Sequence, residues 1–216
     1  MLKLKTRRER FSAIYDNKLW LSDESLSGGG SDEYHTTQIR SELPKLIRAH
    51  NIKSVVDAGC GDFNWLRLIR KKLDIEYTGL DIVESVIINN KKYQDARTQF
   101  HVADVISDPI PDCDLLIVRD VLFHLSFHDI EKFLFNLKDT NYRYLLTTSH
   151  VFSREHKNTD IETGDFRKID LEARPFFFNF LKATDQFEDH PDGFVHPRRL
   201  GLFEKSAVPL ALSESR

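Results

Sequence analysis

An α/β fold built on a doubly wound, mostly parallel sheet is what this sequence predicts. Three observations carry that expectation. Residues 54–68, SVVDAGCGDFNWLRL, begin with the apolar pair Val55-Val56 and pass through Asp57 and the glycines Gly59 and Gly61. From there apolar residues take helical spacing at Trp65, Leu66, Leu68, Ile69 and Leu73, giving a strand, a tight turn and a helix in one short unit. Apolar or alternating runs then recur between helical stretches as far as residue 151, as strands joined by crossover helices do. Last, two strand-like runs at 184–188 and 199–206 follow each other through HPDGFVHP with no helix between, which predicts an antiparallel hairpin.

Before the glycine turn, residues 1–21 are basic and then mixed, with Phe11, Ile14, Tyr15, Leu19 and Trp20 at loosely helical spacing. A basic start of this kind reads as a solvated end rather than a binding arm. LSGGGSD at 26–32 is the only low-complexity stretch. Its composition is that of a flexible linker, while its place just ahead of a helix at 36–50 suits a lid; both readings stand. That helix shows Ile39, Leu43, Leu46 and Ile47 on one face. Residues 1–50 therefore read as an N-terminal helical or lid segment, and 51–216 as one domain.

Beyond the turn, 76–82 reads as the second strand, 83–93 as a helix, and 98–105 as the third strand. The fourth, 113–119, is almost wholly apolar, as a strand buried on both faces should be. A helix follows from Ser126 to about residue 137, and 142–151 is the fifth strand, carrying Thr147, Thr148, Ser149 and His150 to the carboxyl edge. The apolar pattern then fails over 152–174, which predicts a functional loop or disorder.

Ligands of doubly wound sheets bind beyond the carboxyl ends of the strands, where the glycine turn lies. A dinucleotide fingerprint wants a third glycine, and Asn64 stands in its place, which weighs against a nicotinamide cofactor. Asp81 ends the second strand at about the twenty-residue distance at which a carboxylate meets ribose hydroxyls. An aspartate there also serves as a helix cap, and its pairing with the glycine turn favours the ribose role.

VVDAGCGDFNWL resembles the first motif of class I S-adenosylmethionine-dependent methyltransferases. The resemblance implies a Rossmann-like, seven-stranded sheet closed by the C-terminal antiparallel hairpin, and S-adenosylmethionine as cofactor. It places Asp57, Gly59, Cys60 and Gly61 under the methionine and ribose, Asp81 and Ile82 at the ribose, and Asp104 and Val105 at the adenine, with Asp104 facing its amine. Arg119 joins the cofactor set, and Arg40, from the N-terminal helix, is a candidate for the cofactor carboxylate or an anionic acceptor, with a solvated salt bridge as the alternative. DVLFHL at 120–125 resembles the fourth motif of many small-molecule members, at the rim between cofactor and acceptor. GDFRKIDL at 164–171, together with GGGS, resembles a bacterial branch of the family.

The sulfonium of such a cofactor is already activated, so the protein must align the acceptor, exclude water and remove a proton where one is present. His124 and His150 follow the two strands that flank the acceptor pocket, and imidazole has a fitting pKa for a base. Asp120 joins them as a catalytic candidate. His124 equally suits a packing or backbone-bonding role. Arg167 and Asp170, with Tyr34, are the candidate acceptor-binding residues, and a guanidinium suits an anionic group; a solvated salt bridge explains Arg167 and Asp170 as well.

Length and composition bound the rest. The chain's 216 residues suffice for one sizeable core and not for two domains. A net charge of −3 gives no electrostatic footprint for nucleic acid. Cys60 and Cys113 fit neither a disulfide framework nor a zinc spacing, and His124 with His128 would make only half a metal site, so no metal is expected. Without a membrane-length apolar run or a signal peptide's apolar core, cytoplasm is the expected compartment. The leading reading is methyl transfer to a hydroxyl, amine or acidic oxygen of a small molecule, a sugar or a surface or secondary-product precursor among them. A nicotinamide-dependent oxidoreductase and a catalytically silent cofactor-binding partner are the rivals.

Overall fold

A computed structural model describes residues 6–20, 22–152, 155–189 and 197–212. Seven strands form one sheet in the order β3-β2-β1-β4-β5-β7-β6. The strands are β1 Ser54–Ala58, β2 Glu76–Asp81, β3 Thr98–Val102, β4 Cys113–Val118, β5 Tyr142–His150, β6 Asp185–Glu188 and β7 Arg198–Glu204. The first five run parallel, and β7 lies antiparallel to both β5 and β6. The expected hairpin is present; its connection, residues 190–196, lies outside the described residues.

Period-two alternation sorts the strand residues onto two cores. Val55, Leu115, Ile117 and Leu146 pack with Ile39, Leu43, Leu46 and Ile47 of helix α2, Thr37–Ala49. Val56, Leu116, Val118 and Leu145 pack on the other side with Ile130, Phe133 and Leu134 of helix α4, Phe127–Asn136. Strand order reverses at β1, whose neighbours are β2 and β4. The crevice at their carboxyl ends is the topological switch point where such sheets take ligands.

Where a helix is expected after the glycine turn, two short 3-10 turns stand instead, Leu66–Leu68 and Arg70–Lys72. The reason is the anchoring on either side. Asp62 is held by the backbone N–H of Leu26 and the hydroxyls of Ser25 and Ser27, and Phe63 sits at φ 61°. At the far end the buried Arg70 guanidinium donates to the carbonyls of Leu73, Ile75 and Arg97. A 3-10 helix rises about 2.0 Å per residue against 1.5 for an α-helix, so it spans this gap with fewer residues. The third strand also ends earlier than expected, at Val102, because Asp104 opens a turn and accepts the Ile106 N–H.

Residues 22–32 are strapped down rather than linker-like. Ser22 donates to Asp32, Asn64 donates to Glu24 and to the Ser31 carbonyl, and Gly29–Ser31 form a 3-10 turn. The polar segment after β5 has no regular element among its described residues, yet it is packed. Ile169 and Leu171 are fully buried, the His150 N–H donates to the Ile169 carbonyl, and the Leu171 N–H donates to Ser149. The side chain of Asn158 holds the carbonyls of Asp170 and Arg174.

Candidate functional site

A cavity of about 280 Å³ opens at the carboxyl ends of β1, β2 and β4. Its floor is the glycine turn. Gly59 has φ 87°, and a Cβ there would come within 2.4 Å of Val121 Cγ2. Gly61 has φ 55°, and a Cβ there would meet the Ser27 hydroxyl at 2.1 Å. Both positions combine the left-handed backbone and the close approach that only glycine tolerates.

Asp81 ends β2 with its carboxylate facing that turn. Oδ2 accepts the Gly61 N–H at 3.0 Å and Oδ1 the Val83 N–H at 2.9 Å. Burial pushes its pKa up to about 6, against the pull of those N–H groups. Asp57, whose Oδ2 accepts the Tyr77 hydroxyl at 2.9 Å, is pushed up by burial to about 7. Ile82, Cys60, Ala103, Asp104, Val105 and Ile106 continue the wall.

The opposite end is shaped by the turn after β4. Asp120 has φ 60°; its Oδ1 accepts from the Thr148 hydroxyl at 3.0 Å and its Oδ2 from Arg198 Nη1 at 2.9 Å. Arg119 lies 3.3 Å from the same Oδ2, donates to the Gly30 carbonyl, and sits above the Trp65 ring. His124, in the 3-10 turn Leu122–His124, has its Nδ1 2.8 Å from the Asp165 carbonyl oxygen. A carbonyl only accepts, so the proton is on Nδ1 and the Nε2 lone pair is the basic one. Burial lowers the pKa of this imidazole and so favours its neutral form. Trp20, Phe123 and Phe166 surround it, with ring centroids 4.9, 4.6 and 5.8 Å away.

Over the cavity lies helix α1, Arg7–Asp16, which contributes Arg7, Phe11 and Tyr15. A capping box starts it, with Thr6 and Glu9 bonding each other's backbone N–H. Arg7 bonds Asp104 Oδ2 through Nε and Nη2 at 2.9 and 2.7 Å.

Of the residues singled out in the sequence, Asp57, Gly59, Cys60, Gly61, Asp81, Ile82, Asp104, Val105, Arg119, Asp120 and His124 line this one cavity. Five others lie off its wall. Arg40 donates to the Glu33 carbonyl and Thr36 hydroxyl, and Tyr34 is 56% exposed beside His35. Asp170 bonds the Glu172 N–H. His150 is tied through Nδ1 to the backbone of Ile169, and burial pushes its pKa down to about 4. Arg167 is buried, donates to the Leu125 carbonyl and lies over Phe127; burial lowers its pKa to about 10. Sequence reasoning missed Arg7, Trp20, Trp65, Phe166 and Arg198 as wall residues. The T-x-x-E capping signature at Thr6–Glu9 was the available sign that α1 is a built helix.

Residues 55–141 match a family described as "Methyltransferase domain". Residues 55–141 are thus a methyltransferase domain, and the sheet that contains them has the fold of class I S-adenosylmethionine-dependent methyltransferases. No curated protein matches its sequence at a significant level. Solved structures of the same fold include the N-methyltransferase NodS from Bradyrhizobium japonicum WM9 with S-adenosyl-L-homocysteine. The two are 12% identical over 90% of this chain and 98% of the other, with a TM-score of 0.64. Magnesium protoporphyrin IX methyltransferase from Synechocystis PCC 6803 is 14% identical over 90% and 96%, with a TM-score of 0.63. An S-adenosylmethionine-dependent methyltransferase from Leishmania major is 15% identical over 92% and 86%, with a TM-score of 0.64.

The methyltransferase's own residues fit the cofactor. The glycine turn forms a cradle that any Cβ would fill. Asp81 is buried with lone pairs left over after its two backbone bonds, the acceptor a ribose diol needs. Among the described residues of the methyltransferase, no group of three or more His, Cys, Asp or Glu side chains gathers to hold a metal. His128 is exposed on α4, whereas His124 belongs to the preceding turn. No described helix is long and apolar enough to cross a membrane.

Proposed function

We propose that this methyltransferase acts on a small molecule whose reacting oxygen or nitrogen loses a proton to His124. The observation that carries the proposal is the bond from His124 Nδ1 to the Asp165 carbonyl, which leaves Nε2 as the proton acceptor of an imidazole that lines the same cavity as Asp81 and the glycine turn. Bound cofactor supplies an electrophilic methyl group on a sulfonium. Asp81 takes the ribose hydroxyls, and Gly59 and Gly61 let backbone approach the methionine and ribose. The carboxylate of Asp104, already engaged by Arg7, faces the adenine. Asp120 is a poor competitor as base, since Arg198 and Arg119 hold its charge.

Several features support a small acceptor. Phe11, Tyr15, Trp20 and Phe166 line the cavity, whose volume of about 280 Å³ suits small-molecule groups. The net charge of −3 offers no general attraction for a phosphate backbone. In this reading α1 and residues 162–167 together act as the lid that keeps water from the sulfonium.

His124→Gln tests the assignment, with S-adenosylhomocysteine release measured over a panel of phenols, amines, carboxylic acids and sugars. Cofactor affinity should stay within about threefold, while turnover of the acceptor used by the wild type falls by about 10²–10⁴. Undiminished turnover would remove His124 as the base.

A further inference from the structure

The loop that fixes the His124 tautomer is itself held by the helix that lines the cavity. The Gly164 N–H donates to the His124 carbonyl at 2.8 Å, and the Arg167 N–H donates to the Phe123 carbonyl at 3.1 Å. Between them, Asp165 offers its carbonyl to His124 Nδ1. Two residues before Asp165, the buried Thr163 hydroxyl donates to Asp129 Oδ2 at 2.5 Å and accepts the Ser126 N–H at 2.9 Å. The other oxygen of Asp129 receives Arg7 Nη1 at 3.1 Å, and Arg7 also grips Asp104 at the adenine end. From the next turn of α1, Arg10 donates to the Thr163 carbonyl and to Glu162. Gly164 has φ 103°, and a Cβ there would lie in van der Waals contact with Arg10 Cβ at 3.4 Å.

We propose that Arg7, Asp129 and Thr163 are positioning residues that hold His124 in its Nδ1–H form, so that docking of α1 over the adenine end sets the orientation of the base. This rests on the reading of His124 as the base. Hydrogen bonds between segments remote in sequence run from Asp104 to Arg7, Asp129 and Thr163; two residues of backbone then lead from Thr163 to the Asp165 carbonyl that meets His124. A part-buried hydrogen-bonded network of this kind couples the positions of the segments it joins. Asp129 is the junction. Its two oxygens separately bind α1 and the 160s loop, so one carboxylate ties the placement of the two segments together.

The test is imidazole nitrogen NMR of the full chain with S-adenosylhomocysteine bound, at an alkaline pH where His124 is neutral. The wild type should show the Nδ1–H form. In Thr163→Val the ratio of Nδ1–H to Nε2–H forms should fall about fivefold, the scale of one net hydrogen bond, with cofactor affinity changed by less than about threefold. Thr163→Ser, which keeps the hydroxyl, should restore the wild-type ratio. Arg10→Gln, which loosens the same loop from the exposed side, is read instead if Thr163→Val does not fold. An unchanged tautomer ratio in the folded variant overturns the proposal, as does an Nε2–H wild type. If the tautomer responds while His124→Gln retains turnover, the relay stands and the assignment of the base falls.

Discussion

Arg198 Nη1 and Asp120 Oδ2 meet at 2.9 Å, joining the first residue of β7 to the turn that follows β4. Arg198 Nη2 also lies 2.7 Å from Asp189 Oδ2, and Arg119 Nη2 lies 3.1 Å from the same oxygen. Two arginines and two aspartates thus balance one another at the cavity wall, with Asp189 fully buried. Removing one member leaves an uncompensated buried charge. Asp189→Asn should therefore destabilise the fold by about 3–5 kcal/mol in urea denaturation. A loss below about 1 kcal/mol would show that solvent reaches the arginines.

Asp81 gives a pH signature. Burial holds its pKa at about 6 in the free protein; in the proposed ribose role, the hydroxyls would donate to the ionised form and draw its pKa down. Cofactor binding then releases a proton wherever the free carboxyl is protonated. S-adenosylhomocysteine affinity should be flat above pH 7 and fall below about pH 6, by up to about tenfold per pH unit. Asp81→Asn should bind more weakly by about 1.5–3 kcal/mol, without that dependence. Calorimetric titration from pH 5 to 8 decides it, and parallel curves for the two proteins would discard the ribose role.

Asp57 acts on stability with its own sign. Burial raises its folded pKa to about 7, above an unfolded value near 3.9. Between those values the folded state binds more protons than the unfolded one, so this carboxyl's contribution to stability falls as pH rises through that window. Asn at this position can still accept the Tyr77 hydroxyl. Asp57→Asn should be more stable than the wild type at pH 8, by about 1–4 kcal/mol, with a smaller gain at pH 5. An equal difference at both values would mean that Asp57 does not titrate there.

The glycine turn separates strain from collision. Gly59→Ala places a methyl 2.4 Å from Val121 Cγ2 at φ 87°. The substitution should cost about 1–3 kcal/mol and weaken cofactor binding with it. Val121→Ala should relieve the collision and leave the backbone strain, so the double variant should recover part of the loss. Full additivity in a thermal denaturation cycle would place the two residues out of contact.

Much of this architecture is written locally in the chain. Val55-Val56 and Leu115 to Val118 alternate between two cores because successive residues of a strand face opposite ways. The glycines at 59 and 61 and the aspartate that ends β2 are legible because a tight turn and a strand end restrict which side chains fit. The same local reading assigned a helix to 65–73, where apolar spacing suits an α-helix and a 3-10 turn alike. There Asp62 and Arg70, anchored to distant backbone, decided the form. Neither the pairing of Arg198 with Asp120 nor the grip of Arg7 on Asp104 leaves a pattern in the sequence, since each unites segments that only folding brings together. The tautomer of His124 belongs with them: residue type supplies a base, and the carbonyl of Asp165, reached through the packing of a loop without regular structure, selects which nitrogen carries the proton.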